Sequence, residues 1–435
     1  MSVSSRLSRL QQQAGVAAQS PASKPSVSAL REKIALLESR GRAGKNRGQK
    51  RSESTFNKYD NSLLLKDGLG INNRPDSTFN QSDNILLLKD SLGGDLVTDG
   101  LIRIHRRFPL EGALGATALD LLRQRPYLPG EASQTHRNVY IDTETTGLSG
   151  GSGTLAFLIG IAVVDAEAIE LTQFLMTGFS AEAAALKAMA DCLTADDQLV
   201  SYNGKSYDLP LLMTRFRMQA MQHPFDGLPH LDLLHPVRRL FAKRWHDCRL
   251  ITVEKNLLGF HRIEDQPGSE APQPTFSFIS QGHADKLIKV VEHNQQDIVS
   301  LAVAHSVLTQ AVKQPRAFNV DLYALARWLS EHNENNAREL LRLHADKLSD
   351  DGKRLLGHLL RRSGQWSQAI KIWEPLAARG CTDSMERLAK YHEHISKDLA
   401  AARRCCAFLP SDACHEQRRR RIEHKIAAAR TRPAD

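Results

Sequence analysis

The sequence predicts an α/β domain built on a mixed sheet flanked by helices, an all-α C-terminal domain and a disordered N-terminal tail. Three observations predict it. From about residue 137 short apolar runs alternate with stretches of helical period, after about residue 313 only helical periods remain, and before about residue 95 long apolar runs are scarce. A chain of 435 residues is long enough for two or three domains, each with its own core.

The tail, 1–95, is rich in Ser, Asn, Gln and Lys, a composition that buries too little to offset the entropy of ordering. One stretch within it, VSALREKIALLESRG, sets Leu30, Ile34 and Leu37 at helical spacing. A 17-residue unit is also duplicated there: STFNKYDNSLLLKDGLG at 54–70 recurs at 77–93 as STFNQSDNILLLKDSLG, with four differences. Two copies are too few for a solenoid, and a duplicated spacer is expected in preference to a linear motif offering its leucines to a partner.

In the second region, 96–312, NVYID, TLAFLIGIAVV and AIELTQFLM are expected as strands, AEAAALKAMADCL as a helix, QLVSYN as a further strand and DLPLLMTRFRMQAM as a further helix. A long helix follows at about 284–312. Three consecutive strands followed by helix, strand and helix make a mixed sheet. In the third region, 313–430, helix pairs are separated by Gly364, Gly380 and a Ser-Lys-Asp break. Gly357 and Ala369 lie twelve apart, as do Ala389 and Ala401, a spacing similar to that of tetratricopeptide-like repeats. Small residues there, and Trp366 or Trp373, are expected to pack helix on helix.

Composition narrows the function classes. The N-terminal MSVSSRLSRLQQQ lacks the apolar centre of a signal peptide and the longest apolar run is too short for a bilayer, so a cytoplasmic protein with no membrane partner is expected. Six cysteines show neither C-x-x-C nor zinc-ligand spacing and are expected as reduced thiols. A net charge of +9 favours polyanionic partners.

The chemistry lies in three short pieces. Alternate side chains of a strand share a face, so Asp142 and Glu144 project together from the end of NVYID and repel one another unless a cation lies between them. All-oxygen donors suit Mg²⁺ or Mn²⁺ and not zinc. Asp208 stands where a strand ending in Asn203-Gly204 turns into a helix, a place equally natural for a helix cap and for a third metal carboxylate. His293 and Asp297, four apart, fall together on the flank of the long helix, where a plain ion pair is the alternative. Asp232, in HLDLLHPVRRLF, either borders the site or caps a helix beginning near His235.

Taken in order, D-x-E, N-G-x-x-x-D and H-x-x-x-D resemble the DEDD exonuclease superfamily, with its RNase H-like fold. DTETTGLSGGSGTLAFLIG, SYNGKSYDLPLL, CRLITVEKNLLGF and EHNQQDIVSL are closest to the YprB-like group, in which such a domain is joined to tetratricopeptide-like helices. The resemblance implies a 3′ to 5′ exonuclease acting on DNA or RNA, with two divalent cations, Mg²⁺ or Mn²⁺, held by Asp142, Glu144, Asp208 and Asp297. It implies His293 as general base, although its spacing from Asp297 departs from that of better-known members and places the imidazole where others hold a tyrosine. Thr145, Leu148 and Asn203 would border the terminal nucleotide. Arg238, Arg239, Lys243 and Arg244, with the run Arg418 to Arg421, are candidates to track phosphates. Two rival readings are a silent scaffold that acts through its repeats, holding a protein partner, and an endonuclease.

Overall fold

The structure, a computed structural model, describes residues 81–131, 137–147, 153–262, 278 and 284–430. The chain divides into two compact units. The first gathers Met1–Arg125, Thr135–Leu233 and Leu250–Ser306; the second gathers Pro126–Gln134, Leu234–Arg249 and Val307–Asp435.

A seven-stranded mixed sheet organises the first unit. Its strands are β1 (Asp95–Thr98), β2 (Leu101–Pro109), β5 (Arg137–Thr145), β6 (Ala156–Val164), β7 (Ala168–Met176), β8 (Asp197–Ser201) and β9 (His230–Asp232), in the order β1-β2-β7-β6-β5-β8-β9. A two-stranded ribbon of β3 (Ala113–Leu114) and β4 (Thr117–Ala118) lies apart from it. The pairs from β1 to β5 are antiparallel, whereas β5–β8 and β8–β9 are parallel. Strands β5 to β8 fall where the apolar runs put them; β1 and β2 carry no such run, because alternation in LIRIHRRFP leaves charged residues on every second position.

Alternation also sorts the two faces. Val139, Ile141, Ile159, Ile161, Phe174 and Met176 pack against α2 (Glu182–Ala190) and α3 (Asp208–Met218). The opposite face, with Ile102, Ile104, Leu158 and Leu175, packs against α1 (Gln81–Ser91) and α6 (Asp285–Lys313). Between them in the chain come α4 (Leu234–Phe241) and the short α5 (Leu250–Val253), which runs on into a π-turn at Glu254–Leu258.

Helix α1 corrects the expected tail. Its residues are the second copy of the duplicated unit, and Ile85, Leu88 and Leu92 are buried in the core while Leu86 and Leu87 stay exposed. Apolar residues three and four apart make a helical stripe that the sheet covers, so this copy is structural and no spacer. The first copy, with Ser62 in the place of Ile85, and the stretch around Leu30 lie outside the described residues.

Helical hairpins make the second unit: α7 (Leu322–His332) with α8 (Glu334–Leu343), α9 (Asp350–Arg362) with α10 (Trp366–Ala378), and α11 (Thr382–His394) with α12 (Leu399–Ala407), followed by α13 (Ala413–Arg430). Gly364 and Gly380 take positive φ, +76° and +86°, at the two breaks. The close crossing predicted at Gly357 is present: a Cβ there would meet Trp373 Nε1 at 2.3 Å, and Trp373 is fully buried. Trp366, by contrast, is half-buried. Helix α4 belongs to this unit and not to the sheet domain in which the sequence placed it, and two side chains of the basic run that begins on it meet α7 or the residue that caps it. Arg239 pairs with Glu331 at 2.8 Å and lies over Trp328, and Lys243 pairs with Asp321 at 3.4 Å. Those two side chains are thus each paired within their own unit.

Among the described residues no helix is long and apolar enough to cross a membrane. All six cysteines are free.

Candidate metal centre

Helices from both faces reach the sheet where β5 and β8, running parallel, end. Clefts form at such strand ends because neighbouring connections leave toward opposite faces. Asp142 and Glu144 point to the α6 face, with His293, Asn294 and Asp297 on the helix beside them. Asp208 arrives from the other layer as the first residue of α3 and meets Thr143, the residue between the two acids, whose Oγ1 donates to Asp208 Oδ1.

One row of the sheet sets how close α6 comes. Asp142 pairs with Gly160, and Gly160 pairs with Gln173. A Cβ at Gly160 would sit 2.2 Å from Ile298 Cδ1 and 2.3 Å from Asn294 Oδ1. Glycine thus makes the space into which Asn294 inserts, and that amide ties the row together. Its Nδ2 donates to Asp142 Oδ2 at 2.8 Å, and its Oδ1 accepts from Gln173 Nε2 at 2.8 Å. Gln173 and Asn294 are fully buried.

The strand-to-helix turn that presents Asp208 is equally constrained. Asn203 adopts φ +67°, and a Cβ at Gly204 would lie 2.5 Å from Ser201 Oγ. Asp232, buried at the end of β9, accepts from the backbone N–H of Asn203 at 2.7 Å and of Lys205 at 3.1 Å. Its place is behind the turn, holding the loop that carries Asp208. Thr145 Oγ1 donates to the carbonyl of Gly147 at 2.9 Å at the strand's end, and Leu148 lies outside the described residues.

Electrostatics mark the acids as a set. Burial first, then the charges of Asp297, Asp208 and Glu144, push the Asp142 carboxyl well above the ordinary carboxylate range. Burial raises Asp208 to about 6, against the pull of the Thr143 hydrogen bond and with Asp232 adding to the rise. Crowded carboxylates of this kind call for positive charge.

Part of that charge comes from Arg262, which the sequence reading did not single out. Its side chain is 6% exposed; it bonds Glu254 at 2.6 and 2.8 Å, reaches Asp297 Oδ1, and places Nη1 3.3 Å from His293 Nδ1. Burial alone would pull this guanidinium down, but its bonds to Glu254 and the charge of Asp297 raise it instead. His293 Nε2 lies 3.6 Å from Asp297 and 3.8 Å from Glu144. With Arg262 donating to Nδ1, a neutral ring carries its own proton on Nε2, facing those carboxylates.

The structure therefore brings Asp142, Glu144, Asp208, His293 and Asp297 to one strand end. By charge and by donor type the four carboxylates fit divalent cations; by spacing, no three His, Cys, Asp or Glu side chains among the described residues yet close on one. Of the residues missed in the sequence, Gly160, Glu254 and Asn294 lie within stretches quoted for the resemblance but were not singled out there, whereas Gln173 and Arg262 lie outside them.

A family profile described as RNase_H_2, of the RNase_H superfamily, matches residues 139–309, which contain the five acids and the histidine named above as Asp142, Glu144, Asp208, Asp232, Asp297 and His293. The uncharacterized protein YprB of Bacillus subtilis (strain 168) is 33% identical over 287 residues, 63% of this chain and 69% of that protein. Among solved structures, a family B DNA polymerase from the hyperthermophilic archaeon Pyrobaculum calidifontis aligns with 64% of this chain at 12% identity and a TM-score of 0.32. This chain spans only 35% of the polymerase's length, and a likeness that weak carries no argument about activity.

Proposed function

This chain belongs to the family of YprB and carries an RNase H superfamily domain over residues 139–309, and on that premise we propose that it is a metal-dependent 3′ to 5′ exonuclease hydrolysing phosphodiester bonds of nucleic acid. One observation carries this reading: Asp142 is buried among three other acids, which reach it from the same strand and from helices on both faces of the sheet, and burial first and their charges second hold its carboxyl well above the ordinary range. A chain gains nothing in stability from such an arrangement, so its use lies in what it can hold.

Asp142, Glu144, Asp208 and Asp297 would hold two divalent cations, Mg²⁺ or Mn²⁺. When bound, such a pair activates water and offsets charge on the leaving 3′ oxygen. The chain's own residues prepare the rest. Asn294 and Thr143 orient Asp142 and Asp208, and Asp232 fixes the turn before α3. His293 takes the water proton on Nε2 once Arg262 turns away and lets the ring hold its other proton on Nδ1. Thr145, Leu148 and Asn203 border the terminal nucleotide. The helical hairpins belong to the tetratricopeptide-like class and offer a protein partner their surface, and the chain works in the cytoplasm.

A specific observation favours a second reading, a catalytically silent nucleic-acid-binding protein: Arg262 already bonds Asp297, one of the four carboxylates. The two readings part in one experiment. Purified protein is incubated with 5′-labelled single strands of DNA and RNA, with Mg²⁺ or Mn²⁺ against a chelator. A metal-dependent ladder, absent in Asp142→Ala and with a blocked 3′ end, is expected. Metal binding without cleavage of either strand selects the silent reading, and cleavage that ignores the blocked end selects an endonuclease.

A further inference from the structure

The second unit holds a cleft of about 470 Å³ whose lining is unusual for a helix-packing gap. Arg361 comes from the end of α9, Trp366 from the start of α10, Lys390 and His394 from the last turns of α11, and Arg418 and Arg421 from α13. Four permanent cations and one indole thus face the same space.

Internal ion pairs absorb only some of that charge. Glu386 takes Lys390 at 2.5 Å and Arg418 at 3.7 Å; Glu393, whose side chain is fully buried, takes Arg418 at 3.2 Å, Arg421 at 2.6 Å and Lys425 at 2.8 Å. Five cations, with Arg361 and Lys425 included, meet two glutamates and leave three positive charges over. Nε of Arg361 and Nε of Arg418 are buried without a hydrogen-bond partner. Such donors cost stability unless an acceptor reaches them. The indole of Trp366 lies 5.6 Å from the Tyr391 ring, tilted by 35°, and Ile395 beside it is 49% exposed.

We infer that this cleft binds single-stranded nucleic acid, with phosphates against Arg361, Lys390, Arg418 and Arg421 and a base on the face of Trp366. Cations interleaved with an aromatic platform are what a strand requires, because phosphates and base faces alternate along it. An acidic peptide would satisfy the cations and leave the indole without a planar partner. The site lies outside the metal centre and needs no cleavage, so it is a hold on the strand that survives when the acids are removed.

The test uses the full chain carrying Asp142→Asn, so that bound strands stay intact. A fluorescent oligodeoxythymidylate of about 12 nucleotides, a length within the range of known single-strand sites, carries one 5-iodouracil. Crosslinked peptides are mapped by mass spectrometry, and affinity is followed by anisotropy over a salt series. Crosslinks to Trp366 or Tyr391 are expected. Adding Arg361→Gln with Lys390→Gln lowers the salt slope by about 1.4, at about 0.7 per lost phosphate contact on single strands. Trp366→Leu weakens binding roughly tenfold with little change of slope. Unchanged affinity and slope in variants that melt like the parent overturn the inference, as does displacement of the strand by polyglutamate together with indifference to Trp366→Leu. Binding with crosslinks confined to the first unit overturns it and leaves the exonuclease reading standing; no strand binding at all overturns both.

Discussion

Each unit contains a buried carboxylate at the centre of a charged cluster, Asp142 in the first and Glu393 in the second, and the two are displaced in opposite directions. Around Asp142 acids crowd acids, and Asp208 is pushed up to about 6. Around Glu393 the bonds from Arg421 and Lys425 overcome burial and pull the carboxyl down to about 2. The first cluster lacks positive charge that the chain supplies only in part, through Arg262. The second has more than it uses. One site is short of cations and the other short of anions, which on the proposed reading is one place to cut a strand and another to hold it.

The contrast can be broken, and the largest expected effect is on the first cluster. Asp142→Ala should lower cleavage on the order of a thousandfold, as the loss of a central electrostatic group does. The same variant should melt higher than the parent in chelator, because one of the repelling acids is gone; a lower melt would mean that the crowding is not felt. Glu393→Gln tests the other side. It strands Arg418 without its buried partner and should cost about 3 kcal/mol in urea unfolding, the size expected when one member of a buried pair is removed. A loss below about 1 kcal/mol, the size of an exposed pair, would show that water already reaches this cluster.

A smaller effect sharpens the picture of how Asp142 is aimed. Asn294→Ala removes the amide that fills the gap over Gly160, and Mn²⁺ affinity measured by calorimetry should fall roughly 10- to 100-fold, the range for groups that orient metal ligands. Unchanged affinity would assign Asn294 to packing alone.

Acidity separates the clusters last. Asp208 holds its proton higher in the folded state than its ordinary 3.8, so its favourable contribution is present at low pH and is lost as pH rises through about 6. Glu393 is held below its ordinary 4.5, so its contribution is present above that value and is lost as pH falls toward about 2. In chelator the first unit should therefore tighten between pH 7 and 5, read by hydrogen exchange of β5 and β8, and the second should loosen only below about pH 4.5. Trp245, Trp328, Trp366 and Trp373 all fall in the second unit, so their fluorescence reports it alone. A simultaneous response of both units would show that their clusters do not titrate independently.

How much of this was legible in advance depends on range along the chain. β5, β6, β7 and β8 were readable because a strand buried on both faces leaves an apolar run, and α2, α3 and α6 because helical period repeats over several turns. β2 escaped, since its exposed face carries Arg103, His105 and Arg107. The duplicated unit misled: the Leu triplet in a polar setting resembled a spacer, although Ile85, Leu88 and Leu92 already formed a stripe. At the centre, two acids two residues apart and a histidine and an acid four apart stood out, whereas Arg262 stood out only after folding brought it to Asp297. Asp232 was legible as a candidate but not in its role, because the loop it holds is 27 to 29 residues away.

By itself, then, the sequence determined the order of β5 to β8 with α2, α3 and α6, the shared face of Asp142 and Glu144, and the positions of Asp208, His293 and Asp297, all consequences of periodicity within one element. Only the tertiary structure decided that Asp208 crosses to the other acids from the opposite layer, that Gly160 admits Asn294, that Arg262 occupies Asp297, and that Arg361, Trp366, Lys390 and Arg418 share one cleft. These are contacts between elements distant in the chain. Which distant residues meet is set by packing of whole faces against one another, and no local spacing encodes it.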